Sequence, residues 1–158
     1  MTDQERAAKI FQQFKDHFDK EDFSYDAFDD DLVIRLTVHG KDLPQPTLIK
    51  IDEKRKLVRI MSPIPTDVPE DKVMDMALAT SVANYRIING CFDLDIKEGK
   101  IIFRIVHYYG DTELSEAQLE YLTTLAFLVT DDYNDSFFMI SKGIMSVEDF
   151  IAKETADN

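Results

Sequence analysis

The sequence is short of the residues from which recognisable active sites are built. It has one cysteine, Cys91, three histidines and five glycines in 158 residues. A single cysteine excludes an internal disulfide and fits a reducing cytoplasm. None of the glycines is spaced as Gly-x-Gly-x-x-Gly or as a Walker A loop, which argues against nucleotide binding by those routes. His17, His39 and His107 fall in different predicted elements, and none has a second histidine at His-x-x-x-His or His-x-His spacing. Zinc needs three or four convergent ligands, so no metal is expected, and no other cofactor. No apolar run approaches the ~20 residues of a membrane span. The first residues, Met1 to Arg6, are charged with no apolar core segment, so no secretory signal is visible and a cytoplasmic protein is expected. There is no internal repeat and no low-complexity tract.

Positive charge is scarce too: 18 Lys and Arg stand against 31 Asp and Glu, a formal net charge of −13. Such a surface repels phosphate backbones, so nucleic acid and anionic lipid are poor partners. A positive patch could still sit inside the acidic average. The one basic cluster is Lys50, Lys54, Arg55, Lys56 and Arg59, interrupted by Asp52 and Glu53.

The length suits a single domain, with a core over about 5–151, that buries roughly 70% of the surface its unfolded chain exposes. Thr2 and Glu5 have capping-box spacing, and Ala7, Phe11, Phe14 and Phe18 follow at helical steps, predicting a helix over 3–19. Residues 23–28 are a short strand or extended arm, and Asp29-Asp30-Asp31 is a solvated turn rather than a cation site. Leu32, Ile34, Leu36 and Val38 alternate as one face of a strand. Pro44 and Pro46 make 40–46 a loop. Strands follow at 48–51 and 57–61. Residues 62–69, with three prolines, form a crossover into a helix over 73–89 that Gly90 ends. Cys91–Ile96 and Ile101–Tyr109 form a hairpin. Ser115 and Gln118 make a second capping box, with Leu114 and Leu119 as its staple, opening a helix to about Lys142 that Gly143 closes. Ser146 opens a last short helix, and residues 154–158 should fray. The expected class is α+β: an antiparallel sheet with helices packed on it, in the order α-β-β-β-(β)-α-β-β-α.

Two surfaces stand out. On a wheel of residues 73–89, Asp75, Arg86 and Asn89 gather on one side with Ala79. The apolar residues span about twice the ~100° arc of an ordinary surface helix. Such a helix needs cover on two sides, by the sheet and by another helix or a second copy of the chain. Met74, Leu78 and Tyr85 are the candidate dimer contacts. In the hairpin, a two-residue loop at Glu98-Gly99 pairs Leu94 with Phe103 and Phe92 with Ile105, and sets Asp93 opposite Arg104 as a structural ion pair. A longer bulged loop is the alternative. The outward face then carries Ile102, Val106 and Tyr108, too apolar for a face left in water, and these are the candidate partner contacts.

Catalytic readings are weaker. Cys91 needs a nearby histidine to serve as a nucleophile, and Asp93 and Asp95 would raise its pKa. A small semi-buried hydrophobe is the better description. Asp93-x-Asp95 has the look of a metal or acid/base pair, but Arg104 opposite favours an ion pair. No enzymatic activity is expected.

The helix ending near Asn84, then Gly90-x-Phe92-x-Leu94-Asp95, then Gly99-x-Ile101-x-Phe103-Arg104, resembles the YbjN family. The linker Ser62-Pro63-Ile64-Pro65 and the opening Leu114-Ser115 fit the same pattern. The family is similar in fold to type III secretion chaperones, and the resemblance spans most of residues 5–151. It implies a non-catalytic module. Secretion chaperones form homodimers and hold a stretch of another protein extended on their surface, and YbjN-like proteins are linked to regulation. The expected function is a chaperone-like or regulatory module, working as a homodimer, that holds a protein or peptide segment on its sheet face. The alternative is a small-ligand sensor whose pocket is lined by Phe11, Phe14, Phe18, Phe92, Phe103 and Phe138.

Overall fold

The computed structural model describes residues 1–156. Six strands make one sheet: β1 (Asp26–Phe28), β2 (Val33–His39), β3 (Pro44–Asp52), β4 (Leu57–Pro63), β5 (Cys91–Asp95) and β6 (Lys100–Tyr108). Their spatial order is β1-β2-β3-β4-β6-β5, with every neighbouring pair antiparallel. Four helices complete the fold: α1 (Asp3–Lys20), α2 (Val73–Arg86), α3 (Glu116–Ser141) and α4 (Val147–Thr155). The class is α+β, as the alternation of patterns predicts.

The caps act where the sequence puts them. The Thr2 hydroxyl accepts from the Glu5 amide at 3.1 Å, and the Glu5 carboxylate accepts from the Thr2 amide at 2.7 Å. Ser115 and Gln118 repeat the exchange at 3.2 and 2.8 Å, with Leu114 and Leu119 both buried beside them. Such caps are typically worth ~1 kcal/mol each. Asp131 lies in the second half of the unbroken α3. Its carboxylate accepts from the Lys41 amide at 2.9 Å and from the Gln45 side chain at 3.2 Å, tying the β2–β3 turn to the helix. Helix α4 continues through Thr155. The last two positions of the expected frayed tail, 157 and 158, lie outside the described residues.

Helices α1 and α3 lie on one face of the sheet. Ala7, Ile10, Phe11, Phe14 and Phe18 from α1 meet Ile34, Ile49, Ile60, Phe103 and Ile105 in a single apolar core. The core is rich in aromatic contacts, with Phe92 4.9 Å from Phe137 and 5.0 Å from Phe103 between ring centroids. Five of the six phenylalanines proposed to line a pocket are buried in this core, and Phe138 is half-buried at a surface cleft. The rings that a ligand cavity would use are occupied in packing one another.

Three boundaries differ from expectation. Strand β3 starts at Pro44, not Leu48. Its first four residues pair with β2 alone, since the pairing with β4 begins only at Leu48. The missing proline donors are tolerated where a strand has one neighbour. Helix α2 ends at Arg86, with Ile87 already extended, and the left-handed Gly90 (φ 86°) turns the chain into β5. The hairpin loop has four residues, 96–99. The Asp95 carboxylate accepts from the amides of Lys97 and Glu98, both at 3.0 Å, and the Gly99 amide donates to the Asp95 carbonyl at 2.8 Å. A side chain that folds back on its own loop displaces the two-residue turn. Phe92 therefore pairs with Phe103 and Leu94 with Ile101, while Ile102 stands opposite Asp93. A shift of two keeps each side chain on its expected face.

Candidate functional site

Among the described residues, the helices pack on one face of the sheet. Side chains of directly paired residues share a face, so the registers define the other one. One row across it reads Arg35, Leu48, Met61, Arg104, Cys91, from β2 through β3, β4 and β6 to β5. The adjacent row reads Phe28, Val33, Lys50, Arg59, Val106. Beyond it lie Asp52, Leu57 and Tyr108, and on the other side Ile102 and Asp93. Apart from Val33 and Asp52, these residues are half-buried or exposed.

The expected partner contacts lie on this open face. Val106 is 40% and Tyr108 66% exposed, and Ile102 is half-buried. The topology adds Leu48 and Met61 to them, extending a strip from β6 across β4 to β3. A concavity of about 470 Å³ continues toward the β1 end, bordered by Tyr25, Arg35, Thr37, Pro46, Leu48 and Pro63. Leu48 and Met61 fall within the strands that the sequence predicts at 48–51 and 57–61, but only the register of β3, β4 and β6 sets them beside the hairpin.

Asp93 and Arg104 do form an ion pair, diagonally rather than directly opposite. The two bonds measure 2.6 and 3.2 Å, Nε to Oδ2 and Nη2 to Oδ1. The pair raises the guanidinium pKa, mainly through the hydrogen bonds. Nearly half of each side chain is exposed, so the pair positions Arg104 more than it stabilises the fold. Cys91 sits beside it. Its thiol donates to Asp93 Oδ1 at 3.6 Å, and its sulfur accepts from Arg104 Nη2 at 3.8 Å. Burial, and then the Asp93 charge, push the thiol pKa up, the opposite of what a nucleophile needs.

On the far side of the hairpin, α2 is built in reverse of an ordinary amphipathic helix. Its buried stripe is Met76, Ala79, Thr80 and Ala83, mostly small residues that allow close approach. The larger apolar side chains face out: Met74 is 75%, Leu78 53% and Tyr85 94% exposed. Ala79, which the wheel placed with the polar residues, is fully buried. On the polar flank, Arg86 Nε lies 4.0 Å from Glu154 of α4, while Asn89, beyond the helix, reaches the Tyr121 hydroxyl of α3. The candidate dimer contacts are thus uncovered in one copy of the chain, and Ile88 extends them.

Asn84, part of the sequence pattern, has a structural role. Its carbonyl accepts from the Phe92 amide at 2.7 Å and its amide donates to the Phe92 carbonyl at 3.0 Å. This imitates one rung of a sheet ladder and closes the outer edge of β5.

The histidines stay apart: His17 is buried under α3, bonded to Thr123, His39 is exposed on β2, and His107 is half-buried on the covered face of β6. Among the described residues, no three His, Cys, Asp or Glu gather as metal ligands, and no helix is long and apolar enough to cross a membrane.

No family model and no curated protein matches the chain. Among solved structures, that of YbjN from E. coli, a proposed transcription regulator, is similar with a TM-score of 0.57 at 12% identity. The likeness covers 79% of this chain and 91% of that one. At so low an identity it speaks for architecture alone: the chain has a YbjN-like fold.

Proposed function

We propose that this protein is a non-catalytic binding module, regulatory or chaperone-like and cytoplasmic, that holds a segment of a partner protein on the open face of its sheet. The observation that carries the reading is the strip of Leu48, Met61, Ile102, Val106 and Tyr108 on a sheet face that no helix covers. Contiguous exposed apolar surface on a soluble domain marks interaction sites. The similarity to a proposed regulator supports the regulatory sense. A photo-crosslinking residue at Val106 should yield adducts that converge on one stretch of one protein in source cells. The same residue at Glu148 on α4 should not. Equal and scattered adducts from both positions would remove the reading.

Self-association through α2 is a separate part of the same proposal, supported by the exposure of Met74, Leu78 and Tyr85. Light scattering should report a dimer that Leu78→Asp dissociates without loss of helical signal. A wild-type monomer at high concentration would leave α2 with no such role.

A further inference from the structure

The open face carries a charge unlike that of the chain. Its strands direct Arg35, Lys50, Arg59, Lys100 and Arg104 outward, five cations, against four carboxylates, Asp26, Asp52, Asp93 and Asp95. The rest of the chain holds the remaining 13 cations against 27 acidic residues. Four of the cations form a band: Arg35, Lys50, Arg59 and Arg104 come from β2, β3, β4 and β6, neighbours in the sheet, and occupy two adjacent rows. Leu48 and Met61 lie between Arg35 and Arg104, and Val33 and Val106 flank the other two.

These cations are incompletely neutralised. Among the described residues Arg35 and Lys50 make no ion pair. Asp26 stands directly opposite Arg35, but the guanidinium lies over the Phe28 ring, 5.1 Å from its centroid. Lys50 is directly opposite Arg59, an arrangement of like charges that weakens a sheet. Arg59 reaches Asp52 at 3.5 Å through one Nη, but its Nε is buried without a partner. A protein with a net charge of −13 has placed two cations opposite each other on the sheet face that the described helices leave open.

We infer that the segment held on this face is acidic: a short stretch of a partner protein with apolar side chains among its carboxylates. The inference rests on the proposed binding role, and it sets the local charge of this face against the acidic average of the chain. Carboxylates would pair with Arg35, Lys50 and Arg59, and apolar side chains would meet Leu48, Met61 and Val106 between them. Four strands span only ~15 Å. A long polyanion such as nucleic acid would run off the band onto the acidic remainder and be repelled, whereas a short protein segment would not.

The test uses fluorescence anisotropy with the full chain and three labelled probes: a peptide of glutamates alternating with leucines and phenylalanines, the same peptide with lysines for glutamates, and an oligothymidylate of equal charge. The acidic peptide should bind roughly tenfold or more tightly than either other probe, and less tightly as salt rises. The double variant R35E/K50E should lose that preference while its circular dichroism is unchanged. Equal binding of both peptides, abolished in each case by Val106→Asp, would overturn the charge inference and leave the binding role standing. Preference for the basic peptide or the oligothymidylate would also overturn it. Binding of no probe would count against the inference and the binding role together.

Discussion

Replacing Lys50 by glutamate should make this protein more stable. Lys50 and Arg59 are direct partners across β3 and β4. Opposite charges in that position contribute roughly 0.2–1 kcal/mol, and like charges subtract, so reversing one should gain on the order of 1 kcal/mol before discounts. Two discounts apply. Arg59 is about one-third exposed and already reaches Asp52 at 3.5 Å, so a new carboxylate would share the guanidinium with it. The substitution also deepens a net charge of −13, which raises self-repulsion. A net gain of about 0.5–1 kcal/mol remains, a rise of ~1–4 °C in Tm for a chain of this size. Urea unfolding should show a higher midpoint at unchanged slope. Repeating the substitution in an Arg59→Ala background isolates the pair, because the long-range repulsion is common to both backgrounds. The reasoning fails if Lys50→Glu lowers the midpoint, or if it raises it equally with and without Arg59.

Three further outcomes follow from the geometry. Asn84→Ala removes both bonds to the Phe92 backbone and should cost about 2–3 kcal/mol, read by urea unfolding, with more self-association in light scattering as the β5 edge opens. The nearly buried Asp52 has its pKa lowered, first by the bond it accepts from the Arg55 amide and then, against the opposing effect of burial, by the Arg55 side chain and the nearby cations. Its stabilising contribution is therefore complete above the ordinary aspartate pKa and disappears as pH falls through the lowered one, so an acid unfolding curve should flatten in that window in Asp52→Asn. Cys91 should alkylate more slowly than a free thiol at neutral pH, and faster in Asp93→Asn. That change removes an anion that raises the thiol pKa and leaves Arg104 to lower it.

Helix caps were legible because each is a local bargain among residues three apart: Thr2 with Glu5, Ser115 with Gln118. The faces of the strands were legible for the same reason, since alternation survives an error of two in register. What could not be read was anything that depended on partners. The two-residue hairpin loop gives way to the longer alternative because Asp95 folds onto the amides of Lys97 and Glu98, a contact that competes with the turn preference of Glu98-Gly99. The start of β3 was missed because prolines disfavour a strand in general, yet Pro44 and Pro46 lie where it has one neighbour. Helix α2 presented a broad apolar arc, but which part would be buried depended on α4 and β5, and the small residues won by permitting closer packing. The candidate face was half visible. Lys50 and Arg59 belonged to one basic cluster in sequence, while Arg35 and Arg104 joined them only through the order β2-β3-β4-β6.

The way the sheet is finished at its borders bears on how a partner could be recognised. An extended segment can join a sheet by main-chain bonding along an edge, or it can lie on a face and be read by side chains. Here both edges are guarded. The β5 edge is closed by Asn84 at Phe92 and carries Asp93 and Asp95, and β1 is only three residues long and runs into Asp29, Asp30 and Asp31. Short and charged edges are how sheets avoid pairing with other chains. Recruitment is then left to the face, where selectivity must come from side chains, and there the cations are retained at a cost to the β3–β4 pairing. The acidic perimeter serves the same end. It keeps other copies of the chain off an apolar strip, and it leaves the band of Arg35, Lys50, Arg59 and Arg104 as the place where a short anionic segment meets attraction.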